Sequence, residues 1–102
     1  MADDCEFDTD DGGAIVLPDR LDLRAAKRLR RTCLDASGDI TVNAGAVTVA
    51  TTPAFQVLMA ARDRQVTRGF AFELAPVSSG FASCATTLGI PLVRLQTSGA
   101  RA

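Results

Sequence analysis

The stretch Ala46-Val47-Thr48-Val49-Ala50-Thr51-Thr52-Pro53-Ala54-Phe55-Gln56-Val57-Leu58 constrains this chain more than any other. An apolar, β-branched run stops at a Thr-Thr-Pro step and passes directly into a helix. Proline fits the first helical turn because its missing N–H would have had no intrahelical partner there. A threonine hydroxyl just before it can accept from the first free backbone donors, so Thr52 is the expected cap. A strand running straight into a helix is the unit from which α/β folds are made. The junction also sets a hydroxyl at a helix N-terminus, where the dipole and free N–H groups favour negative charge. It is therefore the first candidate for a functional site.

The 102 residues suffice for one domain with one core, and 47% hydrophobic residues is the composition of a globular chain. No apolar run approaches the roughly 20 residues of a membrane span. The start, Met1-Ala2-Asp3-Asp4-Cys5-Glu6, lacks the basic and apolar regions of a signal peptide, so a cytoplasmic location is expected. The chain has no His, which removes the commonest general base and metal ligand. Cys5, Cys33 and Cys84 are widely spaced and read as buried or half-buried thiols. No metal site, no cofactor and no catalytic residue is expected, since no nucleophile and base stand at a recognisable spacing. Asp63 reads as a helix-surface residue and Glu73 as a strand residue.

The net charge of −1 conceals an asymmetry. Asp3, Asp4, Glu6, Asp8, Asp10, Asp11 and Asp19 are acidic, and no base precedes Arg20. All 11 bases follow, among only five acids. Such a dipolar surface can steer a charged partner. Without Tyr or Trp, or a nucleic-acid-binding motif, it does not point to DNA or RNA.

The periodicities predict the order β-β-α-β-α-β-α-β. Cys5–Thr9 is an expected edge strand, Asp10-Asp11-Gly12-Gly13 a hairpin turn, and Ala14–Leu17 the returning strand, closed by Pro18. Asp22 is the expected cap of a first helix over Leu23–Ala36, with Ala25, Ala26, Leu29, Cys33 and Ala36 on its buried stripe and Arg24, Lys27, Arg28 and Arg31 opposite. A strand is expected over Ile40–Ala44, continued by Val47–Val49. The second helix is expected over Pro53–Arg68 with Gly69 as its stop; Ala54, Val57, Leu58 and Ala61 form its buried face, and Phe55, Met59 and Arg62 share another. Phe70–Leu74 is an expected strand ended by Pro76, Ser78 or Ser79 opens a short third helix, and Pro91–Leu95 is a last strand or extended tail. Residues 97–102 are expected to be loose. Strands joined by helices imply a largely parallel sheet of four to five strands with an antiparallel edge hairpin, in one domain over 1–102 whose core spans about 5–95.

With its elements in this order, the chain resembles the STAS family, the domain shared by anti-sigma-factor antagonists and sulfate transporters. Leu21–Ala26 entering the first helix, Ile40–Ala44, Ala46–Ala61, Gly69-Phe70-Ala71-Phe72 and Ser78 to Leu88-Gly89-Ile90 carry the resemblance. Family members typically read Gly-Val-x-x-Ile-Asp-Ser-Ser-Gly-Leu through the second strand–helix junction. Here the Asp falls on Thr51, the first hydroxyl residue on Thr52, and the second, the regulatory phosphorylation site of sporulation-type antagonists, on Pro53. Proline cannot be phosphorylated, so the resemblance implies a module without the usual switch. Thr52 keeps a hydroxyl and is the one candidate left for modification. Thr52-Pro53-Ala54-Phe55-Gln56-Val57-Leu58 is similar to divergent members associated with bacterial chemotaxis gene clusters.

The resemblance implies a non-catalytic protein–protein interaction module of a bacterial signalling pathway, of chemotaxis or anti-sigma type. The expected partner is a signalling histidine kinase or an anti-sigma-type kinase. The docking surface would be Thr51, Thr52, Pro53, Phe55, Gln56 and Met59, with Phe55 and Met59 as apolar anchors of the kind enriched at interface centres. The alternative is a soluble subunit that binds the ATPase of a lipid-transport ABC system, where a Thr before the second helix contributes to the contact. Neither reading involves nucleic acid or membrane insertion.

Overall fold

The computed structural model describes residues 13–97. The expected strand Cys5–Thr9 and the turn at 10–12 lie outside the described residues. The chain is α/β. Strand β1 (Ile15–Val16) is followed by β2 (Arg20–Leu21), helix α1 (Leu23–Asp35), β3 (Ile40–Ala44), β4 (Val49–Ala50), α2 (Thr52–Arg68), β5 (Phe72–Val77) and α3 (Ser79–Thr87). A turn of 3₁₀ helix, Leu92–Leu95, comes last.

Every described strand pair is parallel. One sheet has the order β1-β3-β5, and β2 pairs with β4 in a second, two-stranded sheet. The two are nearly continuous. Leu17 N–H donates to Asn43 O at the end of the first pairing, and Thr48 and Val49 N–H both donate to Asp19 O at the start of the second. Pro18 and the 45–48 excursion interrupt what would otherwise be two long neighbouring strands. The expectation of a parallel sheet holds for these pairs; among the described residues the strands fall into a three-plus-two arrangement, and the expected antiparallel edge strand is not among them.

Right-handed crossovers between strands added in one direction put their helices on one face of a sheet. Helices α1 and α2 accordingly pack side by side. Ile40, Val42 and Ala44 of β3 are buried, while Thr41, between the first two, is exposed. That alternation is the mark of a sheet covered on one side. Leu17, Leu21, Leu29, Val42, Val47, Phe55, Leu58, Phe72, Phe81 and Leu95 fill the core.

The helix ends follow local chemistry. Asp22 caps α1 by accepting from Ala25 N–H at 3.0 Å, and Ala25, Ala26, Leu29 and Cys33 form its buried stripe. Ser78 caps α3 by accepting from Phe81 N–H at 3.0 Å. Gly69 ends α2 in the left-handed conformation, with φ +82°, where a side chain would be strained.

The start of α2 differs from the expectation. Thr51, not Thr52, is the N-cap, and it offers no side-chain cap. Its hydroxyl donates backwards to Leu21 O at 3.1 Å, while its carbonyl accepts from Ala54 N–H and Phe55 N–H. Pro53 brings no donor, so with Ala54 already bonded little is left for a capping hydroxyl to satisfy. Thr52 is an exposed residue of the first turn.

Three other expectations change. Strand β5 runs past Pro76, because the register slips between Val42 paired with Leu74 and Ala44 paired with Val77. Three residues of β5 face two of β3, and proline is tolerated in such a bulge. The Ala75–Pro76 peptide is cis. The expected last strand, Pro91–Leu95, is a 3₁₀ turn that buries Leu95. Thr97, expected to be loose, is buried: it donates its N–H to Phe72 O at 2.7 Å, and its hydroxyl accepts from Phe72 N–H at 2.9 Å. Gln96 adds a bond from Leu74 N–H at 3.2 Å. These bonds occupy backbone groups of β5 on the side away from β3. Residues 98–102 lie outside the described residues.

Gly80 explains the least helical residue of α3. A Cβ there would stand 2.6 Å from Thr48 O and 3.0 Å from Thr48 C. The helix therefore touches the 45–48 backbone directly. Gly80→Ala should destabilise the protein by about 1–3 kcal/mol in urea titration through overpacking, although Ala is the better helix former by about 1 kcal/mol. At the other junction, Thr51→Val should cost about 0.5–1 kcal/mol, since Leu21 O keeps its bond from Thr51 N–H, whereas Thr52→Ala should lie within about 0.5 kcal/mol of the parent. The reverse ranking would make Thr52 the cap.

Candidate functional site

The strand-to-helix junction places the six expected docking residues on different sides of α2. Thr52 and Gln56 are exposed, and Pro53 is half-buried. Thr51 is half-buried with its hydroxyl committed to Leu21 O. Met59 is half-buried and packs against the core. Phe55 is fully buried, its ring centroid 5.0 Å from that of Phe81 with the planes tilted by 49°. Aromatic pairs favour such offset geometry. Phe55 is thus a core residue, and its expected role as an exposed anchor is corrected.

The reason lies in helical phase. The buried residues of α2 are Ala54, Phe55, Leu58, Ala61 and Gln65. They form one stripe at spacings of three and four, with Phe55 inside it and Val57 on its flank. Gln65 obscures this stripe, because a polar residue stands at an apolar position. Its amide is satisfied there: Nε2 donates to Gly38 O at 2.7 Å and Ala71 O at 3.1 Å. A buried amide with its bonds made is tolerated. Gln65 ties together the loops that lead into β3 and β5, a role that sequence reasoning missed. Its signal was its register, seven residues after Leu58.

A second line of residues, Pro53, Gln56, Ala60 and Arg64, runs along the flank of α2 that faces α1. Together with Arg30, Cys33 and Leu34 of α1 and Ile40 of β3, it bounds an open groove of about 370 Å³. Cys33, Ile40 and Ala61 form its floor, and Arg30 and Arg64 stand at its rim. The groove carries the junction's Pro53 and Gln56 into the space between the helices. The side of α2 that was expected to dock, marked by Phe55, turns instead towards α3.

The charges around the site fall into two groups. Arg62 is engaged: it pairs with Asp63 at 3.0 Å, donates from Nε to Gln96 O at 3.4 Å, and Arg94 reaches the same Asp63 at 3.5 Å. These exposed pairs contribute little to stability. Arg30 and Arg64 form no ion pair among the described residues. Among the described residues, no group of three or more His, Cys, Asp and Glu side chains could hold a metal ion. No helix there is long and apolar enough to cross a membrane.

Cys33 and Cys84 are free thiols, Cys33 buried and Cys84 half-buried, as expected; Cys5 lies outside the described residues. Burial pushes the Cys33 thiol up from 9.0 to about 11, with the nearby Arg64 charge opposing the shift. A neutral thiol is a poor nucleophile, so Cys33 is a packing residue.

The chain matches no known protein family, no curated protein and no solved structure.

The raised Cys33 value has a consequence for stability. The unfolded thiol loses its proton near pH 9.0, the folded one near pH 11. The stabilisation from burying the neutral thiol is complete below pH 9 and is lost as pH rises towards 11. Stability from urea titrations should fall by roughly 2 kcal/mol over this interval, and Cys33→Ala should show a smaller fall. Parallel profiles for the two proteins would contradict the assignment.

Proposed function

We propose that this chain is a non-catalytic protein–protein interaction module of a bacterial signalling pathway, of chemotaxis or anti-sigma type, which docks through the start of α2. The observation that carries the reading is the outward side of that helix's start, opposite the buried Ala54 and Phe55. Thr52, Pro53 and Gln56 stand together at the end of a short strand, held in place from behind by the bond from Thr51 to Leu21 O. A recognition surface on a rigid junction loses little entropy when a partner binds. The STAS resemblance supplies the partner class, a signalling histidine kinase or an anti-sigma-type kinase.

The surface differs from the one expected. Phe55 belongs to the core, and Met59 offers only its partly exposed edge. The docking face consists of Thr52, Pro53 and Gln56, extended by Ala60. It lacks a large aromatic anchor, which suits a switchable complex better than a permanent one. In this reading Pro53 removes the usual phosphorylation position, and binding is controlled by means other than that modification. Thr52 remains exposed for a phosphate, which would add roughly −1.5 to −2 charges to the face.

The test is photocrosslinking in cells. A photoreactive residue at Thr52, Gln56 or Ala60 should capture a kinase of the signalling type, and one at Lys27 on the basic face of α1 should not. Gln56→Arg, at an exposed position that leaves the fold intact, should weaken the captured complex by about tenfold or more. Capture of a transporter ATPase from the same positions would favour the ABC-system alternative. Capture through Lys27 alone would overturn the docking face.

A further inference from the structure

The groove between α1 and α2 has the features of a small-ligand site. Its volume of about 370 Å³ lies at the lower end of the range for pockets that take small molecules. Its floor is apolar. Cys33 and Ile40 are buried at 4% exposure each, and Val57 and Ala61 continue the same surface along α2. Cys33 adds no charge, because its thiol stays protonated.

The rim supplies the second half of the argument. Arg30 lies one turn before Cys33 on α1, and Arg64 lies one turn after Ala60 on α2, close enough for its charge to act on the Cys33 thiol. Among the described residues, no acidic side chain lines the groove. Neither guanidinium forms an ion pair among the described residues, in contrast to Arg62 and Arg94, which share Asp63. Two guanidiniums lining one apolar-floored groove supply donors for an oxyanion, since arginine presents paired donors that match its geometry. Leu34, 41% exposed at the same rim, is an apolar surface that an occupant would cover.

We propose that this groove binds a small amphipathic anion, with an apolar body of medium chain length along Cys33, Ile40, Val57 and Ala61 and a carboxylate or phosphate head between Arg30 and Arg64. The site lies beside the docking face and shares Pro53 and Gln56 with it, but the binding needs no protein partner. An occupant would lean on the wall formed by these two residues and so could report a metabolite to that face.

Calorimetric titration of the delipidated full chain with decanoate and with decyl phosphate, both below their micelle concentrations, tests the proposal. At least one should bind at one per chain with a Kd of about 100 μM or tighter. The tighter of the two identifies the head group. Decanol, of the same length without the charge, should bind about tenfold more weakly or worse, and Arg64→Gln or Arg30→Gln should weaken the anion about tenfold or more. Ala60→Trp, an exposed helical substitution whose fold is checked by circular dichroism, should block the groove. The proposal fails if decanol equals the anions or if the arginine variants bind like the parent. It fails equally if several copies bind regardless of Ala60→Trp, or if neither anion binds while a synthetic peptide of residues 1–12, rich in Asp, does.

Discussion

The contact between the first turn of α3 and the 44–48 backbone sets the phase of everything around it. Ser78 N–H donates to Ala44 O at 3.2 Å, the Ser78 hydroxyl donates to Val47 O, and Gly80 lies against Thr48 with no room for a Cβ. Thr48 in turn donates from its N–H and its hydroxyl to Asp19 O, which locks the excursion onto the β2 strand. With α3 held this closely, Phe81 reaches across to Phe55. Phe55 then fixes the rotation of α2, and that rotation decides which flank is free. Pro53, Gln56, Ala60 and Arg64 face the groove because Phe55 faces α3. A single glycine therefore acts on a surface formed by another helix.

The parts of the fold that were legible in the sequence are those governed by local chemistry. Asp22 before an amphipathic run marked α1, and Gly69 marked the end of α2, because caps and left-handed glycines act within one turn. The alternation over Ile40–Ala44 marked β3. What escaped depended on distant partners. Phe55 was misplaced because Gln65 interrupts the apolar stripe, and the amide bonds that permit its burial come from Gly38 and Ala71. Thr51 and Thr52 are chemically alike, and only the position of Leu21 O, thirty residues away in sequence, makes Thr51 the one that bonds. Pro76 read as a strand end because the bulge that accommodates it is a property of the pairing with β3. Thr97 read as tail because nothing local to it announces the free edge of β5.

The candidate site shows the same division. The junction itself was visible, since a strand-like run meeting Thr-Thr-Pro has few other ways to fold. Its orientation was not. Three of the six expected docking residues, Thr52, Pro53 and Gln56, stand together, while Thr51, Phe55 and Met59 turn to structural tasks. The groove was invisible in sequence because its two walls come from separate helices. Arg30 and Arg64 are each unexceptional in a chain with 11 bases. They become notable only when packing brings them to one rim and leaves both without an ion pair among the described residues.

Pro53 joins these threads. As the second residue of α2 it supplies no N–H, and the next two donors, Ala54 N–H and Phe55 N–H, are already taken by the Thr51 carbonyl. A helix start of that kind offers less to a phosphate than one with several free donors, because the donors as well as the dipole hold an anion at a helix N-terminus. In the proposed reading the same proline occupies the position where a phosphorylated serine would stand. The substitution thus removes the acceptor of the modification and part of the cradle that would steady it. What proline contributes instead is a rigid apolar wall at the mouth of the groove. In the proposed reading, that arrangement suits a response to something bound beside the helix better than one to something attached at its tip. Arg30 and Arg64, which form no ion pair among the described residues, lie beside the helix as well and not at the junction.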